Sequence, residues 1–170
     1  MLRVGPGIGD GGMTAKGEMM MLVPAKGHVV RLGEGRTVDL GVACMRVLAD
    51  SDTVPGGSFA LTEFYGAGAG PWTVPHVHRG FEESFFILDG AFSFTIGEQV
   101  TEATPGMYLL VPRDTHHGIS AAAGGGRFLT LMVPGGLEKM FFELAALPPN
   151  AIRDPVARAA ISARFDSIPV

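Results

Sequence analysis

The feature that most limits the fold of this chain is the close spacing of its turn signals. Pro-Gly pairs and glycine clusters recur from Pro55 to Gly126, and the runs between them are short and rich in β-branched and aromatic residues. Short strands at this spacing are typical of a β-sandwich or β-barrel. The predicted strands are residues 28–33, 36–49 with a break near Gly41, 58–65, 74–79, 83–89, 91–97, 107–111, 115–120 and 127–133.

The two ends of the chain differ from this β-rich middle. Residues 1–18 contain many glycines and few large apolar side chains, so we predict a flexible leader there and a β-barrel domain over residues 19–136. Apolar residues recur at helical spacing in the segment 137–147, and an Asp-Pro pair further on is typical of a second helix start. We therefore predict a helical extension over residues 137–170 that packs on the barrel.

Composition excludes several functional classes. Hydrophobic residues make up 46% of the chain and charged residues 18%, with a formal net charge of −4. The chain can therefore form a real core, and without a cluster of Lys and Arg it has no nucleic-acid footprint. No apolar run approaches the length of a membrane-spanning helix. The apolar run at residues 19–25 is too short for a signal peptide and contains Pro24, so we predict a cytoplasmic protein.

Two histidines in the segment GAGPWTVPHVHRGFEESFF raise the question of a metal site. On a strand, His76 and His78 point to the same side. Glu83 begins the next predicted strand, close enough for its carboxylate to converge on the same place. Two imidazoles beside a hard oxygen ligand suit a divalent transition metal. The alternative is that these histidines are structural and are satisfied by backbone hydrogen bonds.

A third imidazole follows in the segment GMYLLVPRDTHHGIS. This segment starts at a Pro-Gly turn, crosses a predicted strand and ends in the pair His116 and His117. An imidazole that arrives from a neighbouring strand would complete a set of four ligands and leave coordination positions open.

The spacing of these residues resembles the two sequence motifs of the cupin superfamily. In the first, Gly70 is followed after five residues by His76, then by His78, and after four and six further residues by Glu83 and Gly90. This order is similar to the first cupin motif at every position. Glu82 is the competing carboxylate, but the residue that follows it after six further residues is Asp89 and not a glycine.

The second motif is similar over a shorter stretch. Gly106 is followed after five residues by Pro112, and His117 comes five positions later, which makes His117 the matching ligand. Two positions depart from the family pattern. Asp114 replaces a glycine in the turn before His117, where glycine adopts a left-handed conformation more readily, and Ala121 replaces an asparagine after it.

The resemblance implies a small single-domain cupin of the quercetin-dioxygenase-like group: an all-β jelly-roll barrel, or double-stranded β-helix, with C-terminal helices. It also implies a metal site formed by His76, His78, Glu83 and His117. One divalent transition metal per chain is expected, and Fe, Mn, Ni, Co, Cu and Zn all fit such a ligand set.

The predicted pocket wall favours an aromatic or enolic small molecule as substrate. Phe85 and Ile87 share the parity of Glu83, and alternate residues of the segment 107–111 are apolar. The leading hypothesis is a metal-dependent dioxygenase in which Glu83 is both a ligand and the acceptor of the substrate's proton. Two alternatives stay open: a metal-dependent isomerase or cyclase, such as the cupins of polyketide pathways, and a non-catalytic metal- or ligand-binding protein.

Both faces of the segment SFFILDGAFSFTI are apolar, although a barrel needs only one apolar face. The outer face should therefore be covered by the C-terminal helices, by a second subunit, or by both. On this basis, and from the resemblance to small cupins, we predict a homodimer.

Overall fold

The computed structural model describes residues 27–148, 151 and 154–170. Within them the chain forms ten strands and two helices. The strands are β1 Thr37–Asp39, β2 Cys44–Ala49, β3 Ala60–Gly66, β4 Gly70–Pro71, β5 His76–Val77, β6 Glu82–Ile96, β7 Gln99–Ala103, β8 Tyr108–Val111, β9 His117–Val133 and β10 Ile168–Pro169. The helices are α1 Glu138–Ala145 and α2 Pro155–Ser162, and short 3-10 turns lie at Pro55–Gly57 and Ala163–Phe165.

Two long, bent strands form the frame of the barrel. β6 and β9 pair antiparallel along nearly their whole lengths, from Glu82 opposite Val133 to Ile96 opposite His117. The first part of β6 also pairs with β8 and the second part with β7. On its other side β9 pairs with β3, β4 and β5. Through these pairings the strands close into an all-β barrel, as predicted.

The bend in this frame depends on glycine. The β6–β9 register shifts on both sides of Gly90, whose φ is +77°. A Cβ at Gly90 would lie 2.2 Å from the carbonyl oxygen of Gly125. A larger residue would therefore clash with the backbone of β9 as well as strain its own backbone.

The core inside the barrel is strongly aromatic. Phe92 and Phe128 have ring centroids 5.0 Å apart at 83°, and Trp72 meets Phe92 edge-on at 5.2 Å. Such edge-to-face arrangements are favourable beyond the area that they bury. The largest fully buried apolar side chains come from β2, from the two bent strands and from the α1 region: Met45, Ile87, Phe92, Phe94, Met132, Leu137 and Leu144.

The elements differ from the sequence predictions in several places, which include the unpredicted two-residue strands β4 and β10. Residues 28–33 form no strand, and the strand β7 was missed. The predicted pairs of strands 83–89 with 91–97, and 115–120 with 127–133, are each one continuous strand. The glycines between them read as turn signals, but in the barrel they act as bends within a strand.

The two helices lie at the end of the barrel that the strands β1 and β10 approach. Leu137, Met140 and Leu144 of the α1 region are buried in the core. Glu138 is also buried, and it accepts hydrogen bonds from the backbone N–H and hydroxyl of Ser51. No helix within the described residues is long and apolar enough to cross a membrane. The predicted leader lies outside the described residues, and the domain boundaries stay predictions.

One apolar surface remains open on the outside of the barrel. Phe86 on β6 and Tyr108 on β8 are opposite each other in the register, and with Leu110 they form what we call the β6–β8 patch. Their exposed fractions are 42%, 62% and 48%. Helix α1 packs on β1 and helix α2 on β10, and neither covers the patch. A second subunit remains the predicted cover.

Candidate metal centre

The four predicted ligands converge at one place in the barrel. His76 lies on β5 and His78 just beyond it, while Glu83 is at the start of β6 and His117 opens β9. All four side chains are buried, and their ligand atoms lie within 4.8 Å of one another. Sheet pairing places His76 directly opposite His117. Glu83 is opposite Met132, at the far end of the β6–β9 ladder from His117, so the bend of these two strands brings its carboxylate to the histidines.

The distances between the ligand atoms fit a single metal ion. His76 Nε2 is 3.1 Å from His78 Nε2, and Glu83 Oε2 is 3.3 Å from His78 Nε2 and 3.0 Å from His117 Nε2. Two ligands at right angles, each about 2.1 Å from one ion, are about 3.0 Å apart. The cluster therefore has room for one first-row transition metal.

Each imidazole is oriented by a backbone carbonyl behind it. The Nδ1–H groups donate to Val74 O at 2.7 Å from His76, to Asp166 O at 2.7 Å from His78, and to Thr115 O at 3.0 Å from His117. A carbonyl oxygen can only accept, so Nδ1 carries the proton and the lone pair of a neutral ring lies on Nε2. This is the arrangement in which outer hydrogen bonds fix metal-ligating histidines.

The cluster needs positive charge at its centre. With the Nδ1 atoms protonated, three Nε2 lone pairs and the carboxylate of Glu83 face one another, and all four groups are acceptors. Only protons or a cation among them can stabilise this arrangement in a buried place. Nitrogen and oxygen donors of this kind suit Fe, Mn, Ni, Co, Cu and Zn. The residues therefore fit the metal that the fold family implies.

The local environment separates the pKa values of the cluster. Burial, together with repulsion by His117, lowers the pKa of His76 to about 4, so this ring is neutral over the physiological range. Burial also opposes protonation of His78, but the hydrogen bond and negative charge of Glu83 outweigh it and raise the His78 pKa. Burial opposes ionisation of Glu83 as well, yet hydrogen bonds from His117 and His78 outweigh it and hold the Glu83 pKa far below its usual value.

The C-terminal segment contributes to the cluster, which the sequence analysis did not foresee. Besides its carbonyl bond to His78, Asp166 accepts hydrogen bonds through Oδ2 from the backbone N–H groups of Arg79 and Gly80, at 2.8 and 2.5 Å. Strand β10 pairs with β5 directly beside His76. A two-residue strand has no sequence signal, so only the structure connects this segment to the histidines.

The second-motif turn shows how the chain accommodates Asp114. Asp114 adopts the left-handed conformation with φ +59°, and its N–H donates to His78 O at 2.7 Å. The aspartate thus takes the backbone conformation for which the glycine is normally required. His116 is exposed and outside the cluster. Glu82 is exposed too and approaches Arg113 at 3.5 Å, so Glu83 is the carboxylate in the cluster.

A largely apolar cavity of about 740 Å³ opens beside the cluster. Of the predicted wall residues, Phe85 lines it, whereas Ile87, Leu109 and Val111 pack in the core instead. Both helices contribute to the wall, including Met140 from α1. The phenylalanine and tryptophan side chains that line the cavity are Phe64, Trp72, Phe85, Phe128 and Phe141.

Comparison with known proteins finds a family match and a related enzyme. The cupin domain family matches residues 64–134, which include all four residues of the cluster. Quercetin 2,3-dioxygenase from Bacillus subtilis (strain 168) is 27% identical over 114 residues. This match covers 67% of the chain but 33% of that protein, so the chain spans about a third of the length of its curated relative.

Solved structures share the fold at lower sequence identity. KdgF from Halomonas sp. superposes with a TM-score of 0.59 at 17% identity, over 67% of this chain and 99% of that one. A predicted oxalate decarboxylase from Thermotoga maritima gives a TM-score of 0.56 at 18% identity, over 62% of this chain and 98% of that one. At these identities the similarity establishes the fold and not the activity.

Proposed function

Residues 64–134 match the cupin domain family, and from that premise we propose that the chain is a metal-dependent oxygenase of the quercetin-dioxygenase-like type. Its substrate would be a small aromatic or enolic molecule. The observation that carries the proposal is the position of the four-residue cluster in the wall of a cavity that is otherwise mostly apolar. The similarity to quercetin 2,3-dioxygenase supports the reaction type.

His76, His78, Glu83 and His117 would hold one divalent ion. Bound there, the ion would supply positive charge that favours the deprotonated form of a substrate enol or phenol, and a centre for reaction with dioxygen. The backbone carbonyls behind the three imidazoles keep the Nε2 atoms directed at this place before the ion binds, which lowers the cost of assembling the site.

Glu83 would accept the substrate's proton at Oε2. Its low pKa keeps it ionised over the physiological range, which is the form that can take a proton.

The aromatic wall would orient the substrate and exclude water. Phe85, Phe128 and Trp72 are all at least nine-tenths buried and line the cavity. They would give a flat aromatic molecule an apolar wall to pack against, and a cavity of about 740 Å³ is within the usual range for small-molecule sites. A free sugar, which needs many polar contacts, would find few here.

An oxygen electrode tests the proposal directly. Protein loaded separately with Fe, Mn, Ni, Co or Cu is assayed with phenols, flavonols and diketones, and each reaction is repeated without oxygen. We expect oxygen consumption that is stoichiometric with substrate loss. Equal conversion without oxygen would contradict the oxygenase and favour an isomerase or cyclase. No conversion of any compound would favour a metal- or ligand-binding protein.

A further inference from the structure

Two buried threonines on neighbouring strands have side-chain hydroxyls with no hydrogen-bond partner in the described part of the chain. Thr62 on β3 is directly opposite Thr130 on β9, and their exposed fractions are 0% and 1%. Buried hydroxyls are nearly always hydrogen-bonded, because burial without a partner forfeits their bonds with water. The pair is therefore unfavourable unless another group completes its hydrogen bonds.

The fold itself does not require these hydroxyls. Facing threonines commonly bond each other across a sheet, but these two do not. Valine has the same branched shape and an equal preference for strands, and the next inward-facing pair in the register is apolar, with Phe64 opposite Phe128. Two polar groups in such surroundings point to a ligand.

Thr130 is placed to contact a ligand that also reaches the metal centre. It lines the same cavity as the four-residue cluster. In the register it is opposite Phe85, two residues along β6 from Glu83, and both of these β6 side chains point inward. Two residues span about 7 Å along a strand, and neighbouring strands are about 4.8 Å apart. The Cα atom of Thr130 is thus roughly 8 Å from the Cα atom of Glu83.

We infer that Thr130, supported by Thr62, binds a second oxygen of the substrate, opposite the oxygen that faces the metal centre. The inference rests on the proposed function and narrows its substrate class. The substrate is a flat molecule of one or two fused rings with an enolic or phenolic oxygen at one end. At the other end it has a hydroxyl or carbonyl, since a threonine hydroxyl can both donate and accept.

The experiment compares two ligands that differ only in this second oxygen. 3-Hydroxychromone has a chelating hydroxyketone, and 3,7-dihydroxychromone adds a hydroxyl on the far side of the second ring. Binding is measured anaerobically to zinc-loaded protein, so that no turnover is needed. Trp72, the only tryptophan of the chain, lines the cavity, and the quenching of its fluorescence reports binding.

The variants are Thr130→Val, which removes the hydroxyl, Thr130→Ser, which keeps it, and Thr62→Val. The matched control is Thr95→Val on β6, a half-buried threonine outside the cavity wall. We expect the dihydroxy compound to bind the wild type about tenfold more tightly, as one additional buried hydrogen bond allows. Thr130→Val should abolish this preference, Thr62→Val should reduce it, and Thr130→Ser and Thr95→Val should keep it.

A second readout separates recognition from folding. Thr130→Val removes an unsatisfied buried hydroxyl, so the zinc-free variant should melt at the same temperature as the wild type or higher. Equal affinity of the wild type for both chromones, or a preference that survives Thr130→Val, would overturn the inference. Failure of either compound to bind would overturn it too. The oxygen assay is independent, so an inactive protein that still shows the preference would refute the oxygenase alone.

Discussion

His117 and Glu83 are 34 positions apart in the sequence, yet His117 Nε2 lies 3.0 Å from Glu83 Oε2. The two residues lie near the starts of the long strands β9 and β6, at opposite ends of the β6–β9 ladder, and the bend of these strands brings them together. The candidate metal centre is thus part of the most extensively paired region of the fold. We expect its geometry to be largely formed before a metal binds.

Glu83→Gln should separate metal binding from proton transfer. The amide still offers an oxygen ligand but cannot take a proton at neutral pH, so turnover should fall about 100-fold or more while most of the metal is retained. The matched control is Glu82→Gln, because Glu82 is exposed and outside the cluster. Parallel loss of metal and activity in Glu83→Gln would show that Glu83 acts only as a ligand.

The affinity for a divalent metal should fall as pH falls. The raised pKa of His78 means that metal and proton compete for its Nε2 already above the ordinary histidine pKa of about 6.5. Below the His78 pKa, one proton leaves this ring for each metal bound, and affinity falls up to tenfold per pH unit. Burial lowers the His76 pKa to about 4, so its proton competes only in more acidic solution. Zinc titrations at several pH values measure this affinity. A zinc affinity that does not change between about pH 8 and about pH 5 would contradict the prediction.

Asp166→Ala should weaken metal binding although Asp166 is not itself a ligand. Its Oδ2 ties the C-terminal segment to the backbone of Arg79 and Gly80, and its carbonyl orients His78. Loss of such an outer contact typically costs about 10-fold or more in affinity. Asp166→Asn is the matched control, since asparagine also tolerates the left-handed conformation that Asp166 adopts at φ +57°. Unchanged zinc affinity in Asp166→Ala would show that the segment only packs against the site.

The protein should be a dimer whose interface includes the β6–β8 patch. Light scattering on a column-purified sample should give twice the chain mass of 17.8 kDa. Phe86→Glu should shift it toward the monomer, because a buried unpaired charge disfavours association. Val100→Glu is the control, an exposed apolar residue on β7. A wild-type sample at the mass of one chain would contradict the predicted dimer.

The sequence was sufficient for the fold class and for the four residues of the cluster. Strand parity placed His76 and His78 on one side, and the motif spacings selected Glu83 over Glu82 and His117 over His116. These are short-range relations, which a single sequence can carry. The barrel fold was predictable for the same reason, since its turn signals are local.

Long-range relations could not be predicted in the same way. Nothing near Asp166 indicates that its carbonyl faces His78, because the contact depends on how the C-terminal segment folds back onto β5. The orphaned hydroxyls of Thr62 and Thr130 depend on a strand register that connects distant segments. The pocket wall was partly wrong because parity tells which face a side chain takes but not how far along the barrel the cavity extends.

The metal content of His78→Ala tests the central claim, that these four residues hold one divalent metal per chain. Wild type and variant are purified identically, loaded with excess zinc and desalted, and zinc per chain is measured by elemental analysis beside a thermal melt. The matched control is His116→Ala, an exposed histidine next to a proposed ligand. We expect about one zinc per chain in the wild type and in His116→Ala, and almost none in a folded His78→Ala. Full zinc occupancy in His78→Ala would contradict the account.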